Sequence, residues 1–240
     1  SISMKKILLV SGCSWCDPGF KSDHHPNMWV KWPKWPEILA KKLDMELINL
    51  GRSGAGNEYI SVSIVEQIMS MDEEQRKNIG LVIPAWSKIF RRDYQVTTSS
   101  LIGTMWWSLR WDTHGDMYYL ARKFLRHVFL LQTFLESYNI PYKSVQTLCL
   151  FSTNEWEKQH MAMLPDDKKV LLMLGTHPLF NKIKEEKFLG WPVFDALGGF
   201  CLQDLLKQPD HYISEEDWHP NAAGQELLAE KIYEDLQRSS

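Results

Sequence analysis

Apolar residues fall into short unbroken runs along the first half of the chain, with helical stripes between them. Residues 5–11 (KKILLVS) form one such run, closed by Gly12, and the absence of alternation predicts a strand buried on both faces. After an irregular stretch punctuated by Pro18, Pro26 and Pro33, a helix is predicted near Pro36 to Leu43, then a second strand over Met45 to Leu50. From Asn57 the apolar positions Ile60, Ile64, Val65, Ile68 and Met69 fall at helical spacing. Residues 79–83 (IGLVI) predict a third strand stopped by Pro84. A long helix follows from about Asp116 to Asn139, and residues 142–148 predict a fourth strand.

Two regions resist this reading. The segment from Trp86 to Thr113 is mixed, and residues 150–210 scatter short helical patches among Pro165, Pro178, Gly190 and Gly198. The end is clear again: a helix is predicted to open at Pro220 and to present Ala223, Leu227, Leu228, Ile232 and Leu236 on one face. Strands alternating with helices imply an α/β fold, a three-layer α/β/α arrangement around a flavodoxin-like parallel sheet. The loops after the carboxyl ends of its strands are where chemistry collects. Those loops are GCSWC, GRSGAGN and PAWS.

Composition narrows the class. The chain has 240 residues, 44% hydrophobic and 24% charged, which excludes a disordered or fibrous protein and predicts a single domain over residues 4–238. Ser1 to Ser3, ahead of Met4, are expected to be a remnant outside the fold. With 27 basic and 30 acidic residues the net charge is -3, so no positive field recommends nucleic acid as a partner. The run Ile7 to Val10 is too short for a signal-peptide core or a membrane span, so a cytoplasmic protein without a membrane partner is expected. Cys13, Cys16, Cys149 and Cys201 are too sparse for a disulfide scaffold and are expected as thiols. The 11 tryptophans cluster at Trp29, Trp32, Trp35 and at Trp106, Trp107, Trp111, which suits either core packing or an aromatic cleft for sugar or acyl groups.

A hydroxyl nucleophile needs a strand end, free backbone N–H groups, a base, and a carboxylate to orient that base. Ser14 lies just past the first strand, after Gly12. His219 stands before the last helix, with Asp217 two residues earlier and Glu216 three. The glycines of NLGRSGAGN offer N–H donors and Asn57 an amide, the parts of an oxyanion hole. The alternative is a tight turn with Asn57 as helix cap.

These three blocks, GCSW, NLGRSGAGN and EEDWHPNAAG, together resemble the SGNH (GDSL-type) hydrolases. The resemblance implies Ser14 as nucleophile and His219 as base, with Asp217 favoured over Glu216 to orient it. It also implies the N–H groups of Ser14 and Gly54 as oxyanion donors. Where such proteins carry Gly-Asn-Asp after the third strand, this chain reads IPAWSKIFRRD, so Asn57 is taken as the substitute donor. The Trp86 indole and the Ser87 hydroxyl are lesser candidates. Trp15, Trp86, Ser87 and Arg91 are the candidate substrate contacts. The activity implied is hydrolysis of a small-molecule or carbohydrate ester, with no cofactor and no metal.

Three other readings compete. Cys13 and Cys16 form C-S-W-C, the spacing of a redox dithiol, although no helix is predicted at the second cysteine. His24 and His25 follow closely enough to suggest zinc, but lack the spacing of a structural site. A non-catalytic module binding a glycan or a protein through the tryptophans and Arg91, Arg92 and Arg110 is the third. The glycines of GRSGAG are not followed by Lys-Ser or Lys-Thr, which argues against a phosphate loop.

Overall fold

The apolar run near the amino end forms β1 (Ile7–Ser11), whose Leu8, Leu9 and Val10 are fully buried. It is the pivot of a five-stranded sheet in the computed structural model, which describes residues 4–97, 104–109, 117–150, 167–194 and 197–240. On one side β1 pairs with β2 (Glu46–Asn49) and on the other with β3 (Ile79–Trp86). Beyond β3 lie β6 (Ser144–Gln146) and β7 (Phe188–Leu189), and every pairing in this sheet is parallel. Between β3 and β6 in the chain, β4 (Arg92–Thr97) and β5 (Thr104–Leu109) form a separate antiparallel pair.

The helices are α1 (Trp35–Lys42), α2 (Asn57–Ser70), α3 (Glu73–Lys77), α4 (Met117–Ser137), α5 (Asp167–Thr176) and α6 (Ala222–Arg238). The chain leaves β1 toward β2 and then returns across β1 to β3. Because parallel crossovers are right-handed, these two opposite moves put α1 and α2 on opposite faces of the sheet. α1 packs with α6, and α2 packs with α4. Both faces are thereby covered, which is why β1 and β3 read as continuous apolar runs. Reversal of strand order beside β1 opens a crevice past the carboxyl ends of β1 and β3, the switch point of a doubly wound sheet.

Several boundaries differ from the sequence expectation. Pro84 does not stop β3, which continues to Trp86. The proline is tolerated because β3 meets its next neighbour discontinuously: an isolated bridge joins Val82 to Tyr142, and the ladder resumes only at Ala85 and Val145. The fourth predicted strand accordingly shrinks to β6. Pro220 lies ahead of α6 rather than inside it, and Asn221 caps the helix by accepting the Gly224 N–H at 2.9 Å. The inward face of α6 is Gly224, Gln225, Leu228, Ala229 and Ile232, so Ala223 falls outside it. Neither β7 nor the β4–β5 pair was expected. Arg110, Trp111 and Asp116 lie outside the described residues, as do Ser1 to Ser3 and Pro165. Among the described residues no helix is long and apolar enough to cross a membrane.

The β4–β5 pair has a structural task. Its Asp93 is buried and reaches the amino end of α2, where its carboxylate accepts the N–H groups of Gly56 at 2.9 Å and Tyr59 at 2.8 Å and the Ser108 hydroxyl. Helix N-termini carry unpaired N–H groups and favour negative charge, so Asp93 acts as a cap supplied from another element. A Cβ at position 56 would stand 2.7 Å from the Asp93 carboxylate, which explains the glycine there. Asp93→Ala is expected to cost about 1–3 kcal/mol, because the buried Gly56 N–H and the half-buried Tyr59 N–H lose their acceptor. Urea unfolding measures this; an unchanged midpoint would contradict the capping role.

Candidate active site

The loop after β1 is shaped by close packing. A Cβ on Gly12 would come within 2.6 Å of the Cys16 sulfur and 2.9 Å of the Ala85 methyl, so the backbone passes there only as glycine. A tight turn follows, in which the N–H groups of Cys16 and Asp17 both donate to the Cys13 carbonyl, at 3.1 and 3.2 Å. This turn buries Cys13 and Cys16 and carries Ser14 to the crevice. Its far side is held by Gln225 of α6, a buried amide that donates to the Trp15 carbonyl at 2.9 Å and accepts the Trp35 N–H at 2.8 Å. One side chain thus joins α6, α1 and the Ser14 turn.

The loop after β2 is tied to the same turn. Asn49 donates to the Cys16 carbonyl at 2.7 Å, and the Asp17 carboxylate accepts both the N–H and the hydroxyl of Ser53, at 2.8 and 2.7 Å. Gly54 has φ +81, a left-handed conformation that side chains disfavour. Among the described residues neither the Ser14 nor the Gly54 backbone N–H has an acceptor. Both residues line the same 380 Å³ cavity.

His219 arrives from the other end of the chain. The segment before α6 folds back on itself through an antiparallel bridge between Tyr212 and Pro220 and a 2.9 Å bond from the Ile213 N–H to the His219 carbonyl. This brings His219 Nε2 to 2.9 Å from Ser14 Oγ across 205 positions of sequence. His219 Nδ1 lies 2.6 Å from Asp217 Oδ1. Phe20 packs on the imidazole, with ring centroids 4.2 Å apart. Asp217 is 2% exposed, and its second oxygen accepts the Ser22 hydroxyl. Glu216 is exposed, and Asp217 is the carboxylate that reaches the ring.

Burial alone would push the Asp217 carboxyl up. Hydrogen bonds from His219 and Ser22, together with the neighbouring His219 ring and N–H, outweigh it and hold the group below its ordinary value. A hydroxyl bonded to an imidazole that is oriented by a buried carboxylate can deliver its proton to the ring as it attacks an electrophile.

The other candidates from the sequence are placed differently. Arg91 lines the cavity, with its guanidinium donating to the Ala55 carbonyl at 3.0 Å and to Ser87 Oγ at 2.9 Å. Asn57 is not among the cavity's lining residues. Its amide pairs with the Ser87 backbone in both directions, at 2.7 and 3.2 Å, and so locks α2 to the end of β3. Trp86 is fully buried and donates its indole N–H to Ser144 Oγ at 3.1 Å, while Trp15 is buried edge-on against Tyr212. Ser87 is fully buried as well. Asn57, Trp86, Trp15 and Ser87 are therefore buried residues outside the cavity lining.

Ser22, Phe20 and Gln225 were missed in the sequence. Ser22 and Phe20 sit in an irregular loop with no periodicity to mark them. Gln225 carried a usable signal, since it is an amide on the inward face of the last helix. The cysteine pair reads differently in three dimensions: burial pushes the Cys16 thiol well up, and the thiol donates to the Cys13 carbonyl at 3.3 Å. His25 bonds Ser214 Oγ at 2.8 Å, and Ser214 in turn accepts the Asp217 N–H at 2.9 Å.

No protein-family model matches the sequence, and no curated protein does either. Solved structures do match. A catalytic mutant of Axe2, an acetylxylan esterase from Geobacillus stearothermophilus, is 12% identical, with 98% of this chain and 95% of that chain covered and a TM-score of 0.52. A member of the lipolytic G-D-S-L family from Veillonella parvula is 13% identical, with 97% and 98% covered and a TM-score of 0.49. The psychrotrophic esterase EstA from Pseudoalteromonas sp. is 13% identical, with 97% of each chain covered and a TM-score of 0.48. The architecture is a doubly wound α/β/α protein with a polar cluster at its switch point. More narrowly, the fold is that of the SGNH hydrolases.

A carboxyl held low in the folded state stabilises the fold above its unfolded-state value of about 3.9, and that contribution is lost as pH falls through the lower folded value. Ser22→Ala removes one donor to Asp217 and lets its folded value rise. Acid unfolding of the variant is therefore expected at a higher pH than in the wild type, read from melting temperature against pH. Superimposable acid limbs would show that Ser22 does not hold the carboxylate.

Proposed function

We propose that the protein is a serine ester hydrolase in which Ser14 is the nucleophile, His219 the general base and Asp217 the orienting carboxylate. The observation that carries this reading is the unbroken relay from Ser14 Oγ to His219 Nε2 at 2.9 Å and from His219 Nδ1 to Asp217 at 2.6 Å. In the first step His219 takes the Ser14 proton as Oγ attacks the ester carbonyl. The resulting oxyanion is held by the N–H groups of Ser14 and Gly54. His219 then returns the proton to the leaving alcohol, and water releases the acid by the same route. Each oxyanion donor supplies about 2.7–4 kcal/mol in enzymes of this kind.

Asn57 is left out of this scheme as a direct donor, because its amide serves Ser87. Its proposed role is to fix the carboxyl end of β3 beneath the cavity. Arg91 and Lys21 stand at the cavity wall, where a polar substrate is accommodated. A second, 520 Å³ groove adjoins the first and shares Phe20 and Lys21 with it, and its lining includes Trp29, which is 72% exposed. An exposed indole in the adjoining groove, with the Lys31 ammonium over its ring, supports a carbohydrate as the alcohol part of the ester.

The non-catalytic binding module has one observation in its favour: with Asn57 committed to Ser87, the proposed oxyanion site rests on two backbone donors. Hydrolysis of p-nitrophenyl acetate separates the readings. Ser14→Ala and His219→Ala are each expected to abolish turnover with little change in melting temperature. Asp217→Asn is expected to lower kcat by about 10⁴, as loss of the orienting carboxylate does elsewhere. A wild-type protein inactive on short acyl esters, or a Ser14→Ala variant as active as the wild type, would overturn the hydrolase reading.

A further inference from the structure

A second cluster of reactive side chains lies outside the Ser14 cavity. Cys149, in the segment after β6, meets Cys201 and Asp204 from the segment that precedes the His219 block, with all three donor groups within 4.8 Å of one another. We propose that Cys149, Cys201 and Asp204 form a binding site for a thiophilic divalent cation, Zn²⁺ by its ligand chemistry, that ties these two segments together.

The geometry is close to what such an ion demands. Around a tetrahedral Zn²⁺ with bonds of about 2.3 Å to sulfur and about 2.0 Å to oxygen, two sulfurs lie about 3.8 Å apart and a sulfur and an oxygen about 3.5 Å apart. Here the sulfurs are 3.1 Å apart, Cys201 Sγ is 3.3 Å from Asp204 Oδ2, and Cys149 Sγ is 3.7 Å from Asp204 Oδ1. Binding therefore requires the sulfurs to part by about 0.7 Å and the Asp204 carboxylate to turn so that one of its oxygens faces both sulfurs. Cys149 is only half-buried and Asp204 is exposed, so small rotations suffice and the fourth coordination position opens to water.

The backbones that carry the ligands are already fixed. The Cys149 N–H donates to Gln203 Oε1 at 3.1 Å, the Gln203 N–H to the Thr147 carbonyl at 3.0 Å, and the Cys201 N–H to Asp204 Oδ2 at 2.9 Å. Ligands oriented this way by their neighbours lose little freedom on binding. Two thiolates and a carboxylate this close to one another also repel. A dication replaces the two thiol protons, which leave to solvent, and removes that repulsion. Thiolate ligands select Zn²⁺ over Mg²⁺ or Ca²⁺, which prefer oxygen.

The consequence reaches the candidate active site mechanically. Tyr212 donates its hydroxyl to the Gln203 carbonyl at 3.3 Å and packs against both Trp15 and Trp218, which flank Ser14 and His219 in sequence. An ion at Cys149 and Cys201 stiffens the wall behind that pair without touching the cavity.

The test uses the full chain, chelated and kept reduced, titrated with Co²⁺ as the spectroscopic probe and then with Zn²⁺. One equivalent of Co²⁺ is expected to raise a sulfur-to-cobalt charge-transfer band that Zn²⁺ abolishes, and Zn²⁺ is expected to raise the melting temperature. Cys149→Ser and Cys201→Ser should each lose the band. Asp204→Asn, at an exposed position, should weaken binding by about 10-fold or more. No band in the wild type, or a band that survives in both serine variants, would overturn the proposal. So would a Cys149–Cys201 disulfide that forms in air while the reduced protein takes up no metal.

Discussion

Asp217 is a carboxylate with 2% of its surface exposed, and a buried charge is tolerated only when its lone pairs are satisfied. Much of the surrounding arrangement answers that constraint. The Ser22 hydroxyl and the His219 ring donate to its two oxygens, and Ser214 receives its backbone N–H while bonding His25. In satisfying the charge, these contacts draw the irregular loop after β1 against the segment before α6. The ring that Asp217 holds by one nitrogen presents the other to Ser14. The relay exists because a buried charge needed partners from both ends of the chain.

The sheet supplies the meeting place. β1 lies at the point where strand order reverses, so the loops after β1 and β2 and the end of β3 converge on one crevice. Each is pinned by an unusual contact: Gly12 passes between Cys16 and Ala85, Asn57 grips the Ser87 backbone, and Asp93 caps α2 from the β4–β5 pair. These are constraints on position, and among the described residues they leave the N–H groups of Ser14 and Gly54 without acceptors at the cavity. In the proposed reaction that is where negative charge develops. Preorganised donors are effective because little reorganisation is left to do when the charge appears.

The parts of this arrangement that follow a period were legible in the sequence. β1, β2, α1, α2, α4 and α6 announced themselves by apolar runs or helical stripes, and the loops at their ends contained Ser14, Gly54, Asp217 and His219. Contacts without a period were not legible. Pro84 looked like a strand terminator because its tolerance depends on a gap in pairing with β6, which is a tertiary fact. Trp86 and Trp15 looked like cleft residues by type, yet packing claimed both for the core. Asn57 is an amide in a glycine-rich loop, and only the position of Ser87 decides which way that amide turns. Ser22 and Asp93 act through partners distant in sequence and leave no local mark.

In the proposed reaction the contact between Ser14 and His219 makes Ser14 an activated nucleophile. Incubation with a fluorophosphonate probe, followed by peptide mass spectrometry, tests it most directly. Covalent phosphonylation of the wild type is expected at Ser14 alone, with labelling lost in Ser14→Ala and in His219→Ala. A wild-type protein that stays unlabelled, or one labelled equally well without His219, would contradict it.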